Sequence, residues 1–205
     1  MFPEILREGI WHTTSVERFE GILAAGGILP EPPIPDMDRW GTACGPSYYP
    51  FVRSIGAVSV FDFSGFDEAT YEEKYPLSMW RTFVPCFSKW DESIWIELDR
   101  SAIKDSFIDG KAVIDRWKQQ NELGRKIMPI IEAAHIGLVP ISAFRRVYKY
   151  NKHDQEFRQI QMPRIQAIDS CISNVLHSGP EVPHATTGEP RRIGTPPTSC
   201  DGAAG

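Results

Sequence analysis

Gly9-Ile10-Trp11-His12-Thr13-Thr14-Ser15, followed by residues 16–23 and then Ala24-Ala25-Gly26-Gly27, is the stretch on which the fold turns. Its apolar run ends at a histidine just where a helix can start. Ser15, with Thr13 and Thr14 beside it, is a good N-cap, because a side-chain oxygen there satisfies an orphaned N–H of the first turn. Val16, Phe19, Ile22 and Leu23 recur at helical spacing, and Gly26-Gly27 offers a left-handed stop. The pattern predicts a strand, a corner carrying His12, and a helix. Such a helix N-terminus favours an anionic or hydroxyl-rich ligand, and a neutral imidazole can donate to one oxygen while accepting from another group. A satisfied, half-buried histidine at a turn is the plain alternative, so residues elsewhere have to decide.

The chain has 205 residues, 41% of them hydrophobic, with 11 Phe and 6 Trp, enough to bury a substantial core in one domain with appendages. A formal net charge of −5 gives no general attraction to phosphate backbones, so nucleic-acid contact would need a local basic patch. Arg145-Arg146-Val147-Tyr148-Lys149 is the candidate, but strand alternation divides it between two faces, and it reads mainly as solvated strand charge. Cys44, Cys86, Cys171 and Cys200 lie far apart with no Cys-x-x-Cys spacing and no histidine at zinc-ligand distance, so reduced structural thiols and no metal are expected. The opening Met1-Phe2-Pro3-Glu4 lacks a basic region and apolar core, and nowhere do about twenty apolar residues run together. A cytoplasmic protein without membrane contact is the expectation.

Residues 30–50 carry six prolines together with Gly41 and Gly45, which predicts a long loop after the first helix. Trp40, Tyr48, Tyr49 and Phe51 argue for an ordered loop able to close over a flat ring, since disordered linkers are poor in aromatics. Residues 57–63, 82–87 and 93–98 read as strands, rich in β-branched and aromatic side chains. Residues 101–106 suit a helical turn, and residues 112–123 a helix with one apolar side, stopped at Gly124. Residues 127–136 fit either a strand or a short helix opened by Pro129; length and flanking prolines favour the strand, which buries Glu132 in its middle. Residues 144–150 supply another strand. Residues 154–176 show helical periodicity with Pro163 as a kink, and residues 177–205, rich in Pro, Gly, Thr and Ser, read as a disordered tail. One domain over residues 1–176 follows.

There is no Gly-x-x-x-x-Gly-Lys, Gly-x-Gly-x-x-Gly, His-Glu-x-x-His or Gly-x-Ser-x-Gly, so P-loop, Rossmann, zincin and α/β-hydrolase chemistry all lack their signatures. Three places remain: Trp11-His12-Thr13-Thr14-Ser15 with Ile22-Leu23-Ala24-Ala25-Gly26-Gly27-Ile28; Tyr48-Tyr49 through Phe63; and Ile130-Ile131-Glu132-Ala133-Ala134 with Val139-Pro140-Ile141-Ser142-Ala143-Phe144 behind it. In that order they resemble the ADP-ribosyltransferase superfamily, in its bacterial toxin-like branch with a His, Tyr, Glu core. The resemblance implies an α+β fold, a split β-sheet core with flanking helices, and a catalytic-type domain over residues 1–176.

It further implies NAD as substrate. Breaking the bond between nicotinamide and ribose builds oxocarbenium-like charge, which the carboxylate of Glu132 would stabilise. His12, with Thr13 beside it, would hydrogen-bond a ribose, Tyr49 or its neighbour Tyr48 would stack on nicotinamide, and Arg53 is the nearest cation for the pyrophosphate. No second tyrosine after Phe63 completes the aromatic pair unless Tyr71 or Tyr75 folds back. Glu97 and Asp99 form a rival acidic pair, although Asp99-Arg100-Ser101 is better read as a helix cap. The implied activity is mono-ADP-ribosylation of a protein or nucleic-acid acceptor in bacterial or phage conflict, with an antitoxin or regulatory protein as partner. An RNA 2′-phosphotransferase-like enzyme would want a pocket rich in Arg and His. A non-enzymatic binding module or inhibitor would instead use the aromatic loop to grip a protein.

Overall fold

The computed structural model describes residues 1–162. The chain runs β1 (Ile10–Thr14), α1 (Val16–Ala24), β2 (Gly27–Ile28), α2 (Phe51–Ser54), β3 (Ala57–Asp62), α3 (Glu68–Lys74), β4 (Glu92–Leu98), α4 (Arg100–Ile103), β5 (Phe107–Ile108), α5 (Gly110–Gln119), β6 (Glu132–Ile136), β7 (Val139–Pro140), β8 (Phe144–Asn151) and β9 (Glu156–Ile160). Seven strands form one sheet in the order β5-β6-β3-β1-β4-β8-β9, every neighbouring pair antiparallel, while β2 and β7 make a separate two-stranded ribbon. The fold is α+β.

The opening corner forms at Ser15, not at His12, which lies in the middle of β1 because the strand continues through Thr13 and Thr14. Ser15 accepts from the Arg18 N–H at the start of α1, and Gly26, at φ +74°, turns the chain out of it. Both faces of the central sheet are covered, which is why β4 is buried from Ser93 to Leu98 instead of alternating in and out. Trp11, Phe61, Trp95, Tyr148 and Tyr150 build an aromatic layer on one side. Ile10, Val58, Val60, Ile94 and Ile96 meet Phe19 of α1 in an aliphatic layer on the other.

The sheet splits at its centre. β1 pairs with β4 through all five of its residues, and β3 pairs with β6 from Ala57 to Phe61. Between β1 and β3, however, only Ile10↔Asp62 and Trp11↔Phe61 are in register. From His12 and Val60 onward the two strands part, leaving a gap in the middle of an otherwise continuous sheet.

Four segments depart from the sequence reading. Residues 82–87 hold no strand: Pro85 has no N–H to give to a ladder, and a 3₁₀ turn (Trp80–Thr82) leads into an irregular aromatic loop. The late strand begins at Glu132, not at 127, because Pro129 is likewise no donor and Ile130 takes φ +66°. α5 ends at Gln119, a turn before Gly124, with Gln120 as its cap. Residues 156–160 are strand β9, not helix: Asn151 Oδ1 accepts from the His153 and Asp154 N–H groups at 2.8 and 3.1 Å, turning β8 back on itself and seating Phe157 against Tyr150. The rest of the predicted 154–176 helix, Cys171, Cys200 and the 177–205 tail lie outside the described residues. Cys44 and Cys86 are free thiols.

Candidate functional site

A cavity of about 760 Å³ opens where β1 and β3 diverge. His12, Thr13 and Thr14 border it from β1, Ala57, Val58 and Ser59 from β3, and Glu132 from the start of β6. α1 closes one side through Glu17, Arg18, Gly21 and Ile22. Size and lining suit a ligand of nucleotide dimensions: cavities of some hundreds of Å³ with apolar walls and a few convergent polar groups are the common form of a small-molecule site.

The polar end is organised by Ser59. Its backbone carbonyl lies 3.0 Å from His12 Nδ1, and its hydroxyl donates to Glu132 Oε1 at 2.8 Å. A carbonyl can only accept, so His12 Nδ1 carries the proton and Nε2 keeps its lone pair. The bond arises from the split itself, since β1 and β3 are not in register at this level. Glu132 is 2% exposed, and its second oxygen accepts from the Met128 N–H at 2.8 Å. Burial pushes the Glu132 carboxyl above its ordinary range, against the opposing pull of the Met128 N–H and the Ser59 hydroxyl. Burial also lowers the His12 imidazole, which the bond to Ser59 offsets in part. The site therefore pairs a neutral imidazole of fixed tautomer with a carboxyl group whose ionised form is costly.

Part of the lining is aromatic. Phe61, Phe83, Phe87, Trp90 and Trp40 all border the cavity. Phe83 and Phe87 stack with ring centroids 5.3 Å apart, while Trp40 and Trp90 meet them edge-on at 5.0 Å each. Trp40 comes from the 30–50 loop, which also contributes Thr42 and Pro50, so the loop lines part of the cavity.

Of the residues singled out in the sequence, His12, Thr13, Arg53 and Glu132 are brought to this one cavity. Thr13 Oγ1 is buried there without a hydrogen-bond partner among the described residues. Tyr48 and Tyr49 do not border it. Tyr48 is 60% exposed, and Tyr49 lies beneath the Arg53 guanidinium, 3.7 Å from ring centroid to Cζ, with its hydroxyl donating to Asp36.

Arg53 is not a free cation: its Nε donates to Glu31 at 2.9 Å and its Nη2 to Asp36 at 2.8 Å. Tyr71 does fold back, but onto the Pro129 carbonyl at 2.8 Å, bracing the turn before Glu132. The rival carboxylate Glu97 is buried against Arg146 and Arg145, outside the cavity, and Asp99 caps α4 by accepting from the Ser101 N–H. Ser59, Arg18, Arg39, Phe83, Phe87 and Trp90 escaped the sequence reading. The one local signal was Pro85, which made residues 82–87 a poor strand and a better loop.

Among the described residues no three His, Cys, Asp or Glu side chains group closely enough to hold a metal ion, and no helix is long and apolar enough to cross a membrane. No protein-family model matches the chain, and no curated protein matches it either.

Proposed function

We propose that the chain is an NAD-dependent ADP-ribosyltransferase, with NAD in the central cavity and a protein or nucleic acid as acceptor. One observation carries the reading: His12 and Glu132, far apart in sequence, border one cavity where β1 and β3 part, joined through Ser59, and aromatic rings share its lining. Each part has a task in that reaction. The lone pair on His12 Nε2 accepts from a ribose hydroxyl. Phe83, Phe87 and Trp90 supply a flat apolar surface for nicotinamide. The bond between ribose C1′ and the nicotinamide nitrogen breaks, its electron pair leaving with nicotinamide, and ionised Glu132 opposes the positive charge that develops on the ribose. The acceptor's nucleophile then bonds to C1′ and gives up its proton.

Incubation of the full chain with NAD, followed by nicotinamide release and by thermal shift with the intact dinucleotide, tests the proposal. Release, or a shift without release that turns to release on adding an acceptor extract, supports it. Absence of both overturns it and moves the weight to a non-enzymatic binding module.

The RNA 2′-phosphotransferase-like alternative draws on a further observation, since Arg18 and Arg39 join Arg53 and His12 around the cavity. NAD-dependent loss of phosphate from a 2′-phosphorylated RNA, without modification of protein or unphosphorylated nucleic acid, would favour it.

A further inference from the structure

Two guanidinium groups in the cavity wall converge on one carboxylate. Arg39 Nη1 reaches Glu31 Oε2 at 2.6 Å, while Arg53 Nε and Nη2 reach Glu31 Oε1 and Oε2 at 2.9 and 3.0 Å. The two cations are enclosed and the anion is not: the side chains of Arg39 and Arg53 are 15% and 12% exposed, that of Glu31 54%. Both arginines border the cavity, and Glu31 does not.

The remaining donors are held less completely. Arg39 Nη2 donates to the Pro30 carbonyl at 3.1 Å, Arg53 Nη2 also serves Asp36, and Arg53 Nη1 is buried with no partner among the described residues. Arg53 is further fixed by stacking on Tyr49. Glu31 and Asp36 both belong to the loop that lines part of the cavity.

Rigid, enclosed guanidiniums with donors to spare form a fork suited to a phosphate, which offers more acceptor oxygens than a carboxylate and a larger charge. A half-exposed glutamate can leave for water at little cost, whereas the arginines cannot follow it.

We infer that Arg39 and Arg53 form the phosphate or pyrophosphate subsite of this cavity, with Glu31 as an internal stand-in for the anion. The inference rests on the reading of a nucleotide ligand. It adds that ligand entry displaces Glu31 and so loosens the first part of the 30–50 loop.

Calorimetric titration of the full chain with inorganic pyrophosphate tests it without any turnover. Glu31→Gln keeps the shape but removes the competing charge, and should tighten pyrophosphate by up to about fivefold, the scale of an exposed ion pair. Adding Arg53→Lys, which keeps the charge but loses the fork, should abolish that gain. Asp115→Asn removes a carboxylate of α5 that pairs with Lys111 and does not border the cavity, and should leave affinity nearly unchanged. Asp36→Asn, freeing one donor of Arg53, should act in the same direction as Glu31→Gln and serves in its place if that variant does not fold.

Pyrophosphate affinity that ignores both Glu31→Gln and Asp36→Asn, or that rises as much with Asp115→Asn, overturns the inference. The two proposals fail separately. Tighter pyrophosphate without NAD cleavage removes the transferase and keeps the subsite, whereas cleavage with Glu31→Gln indifferent to pyrophosphate does the reverse.

Discussion

Gly110→Ala sets a local rule against a tertiary one. Gly110 opens α5 behind the Asp109 cap, and on helix propensity alone alanine there should stabilise by up to about 1 kcal/mol. A Cβ at this position, however, would stand 1.7 Å from the Ile130 carbonyl oxygen and 2.4 Å from its carbon, where ordinary contact begins at 3.4 Å. Backbone would have to retreat by roughly 1.7 Å, the shortfall between those distances.

The turn has little room to give. Ile130 is a β-branched residue already at φ +66°, and the Met128 carbonyl and N–H both bond to Glu132, at 2.9 and 2.8 Å. Overpacking of this kind costs about 1–3 kcal/mol, which exceeds the propensity gain. A fall in melting temperature of roughly 3–10 °C follows for a domain of this size. Because Glu132 is two residues from the clash, a displacement near 1 Å should also cut nicotinamide release by about a hundredfold. Calorimetric melting and a release assay on the same preparation check both. An unchanged or raised melting temperature with unchanged release would refute the steric argument.

Glu132→Gln preserves the hydrogen bonds, its amide oxygen accepting from the Met128 N–H and its amide donating to Ser59 Oγ, but removes the charge; release should fall about a hundredfold or more with NAD affinity little altered. Because burial raises the Glu132 pKa, the folded state is favoured at pH below the unfolded carboxyl's range and loses stability as pH rises through the folded value. Chemical denaturation should therefore show Glu132→Gln gaining on the parent with increasing pH, and a constant difference from pH 4 to 8 would contradict that. His12→Asn can still donate to the Ser59 carbonyl but loses the Nε2 acceptor, so NAD binding should weaken about tenfold at neutral pH. Since burial depresses the His12 pKa, the neutral imidazole's contribution is lost as pH falls from the unfolded value through the folded one, and the variant should be relatively more stable below about pH 6. Trp90→Ala removes one ring of the apolar wall and should raise KM for NAD about tenfold while leaving kcat nearly intact, the signature of binding shared by ground and transition states; a fall in kcat alone would place Trp90 elsewhere in the reaction.

What could be read from the sequence was local. Ser15, the 3.6-residue apolar rhythm and Gly26 all act within a few residues of one another, so α1 and its cap were legible, whereas His12, read as the corner itself, stands in the middle of β1. β4 and β8 declared themselves through β-branched and aromatic runs. Residues 156–160 were ambiguous, because Phe157 and Ile160 are three apart and fit a helical face as readily as a loosely patterned edge strand. The decisive signal was Asn151, whose side chain makes the turn, and its effect lies outside the segment it reverses.

The site is less legible for a different reason. Glu132 could be singled out as a carboxylate in an apolar run, but its strand starts late because Pro129 has no N–H to give and Ile130 takes φ +66°, in a turn packed against Gly110 from another part of the chain. Nothing in Ala57-Val58-Ser59-Val60 distinguishes Ser59 from any hydroxyl on a strand. Its role exists only because β3 pairs with β6 in a register that sets Phe61 opposite Glu132, and because β1 leaves β3 one residue beyond Trp11. Shifting β6 by one residue would turn the Glu132 side chain to the other face and take it from the Ser59 hydroxyl, while continued β1–β3 pairing would give the Ser59 carbonyl to a backbone N–H instead of His12. The polar end of the cavity is thus a property of two registers, and the fixed His12 tautomer follows from a gap in the ladder.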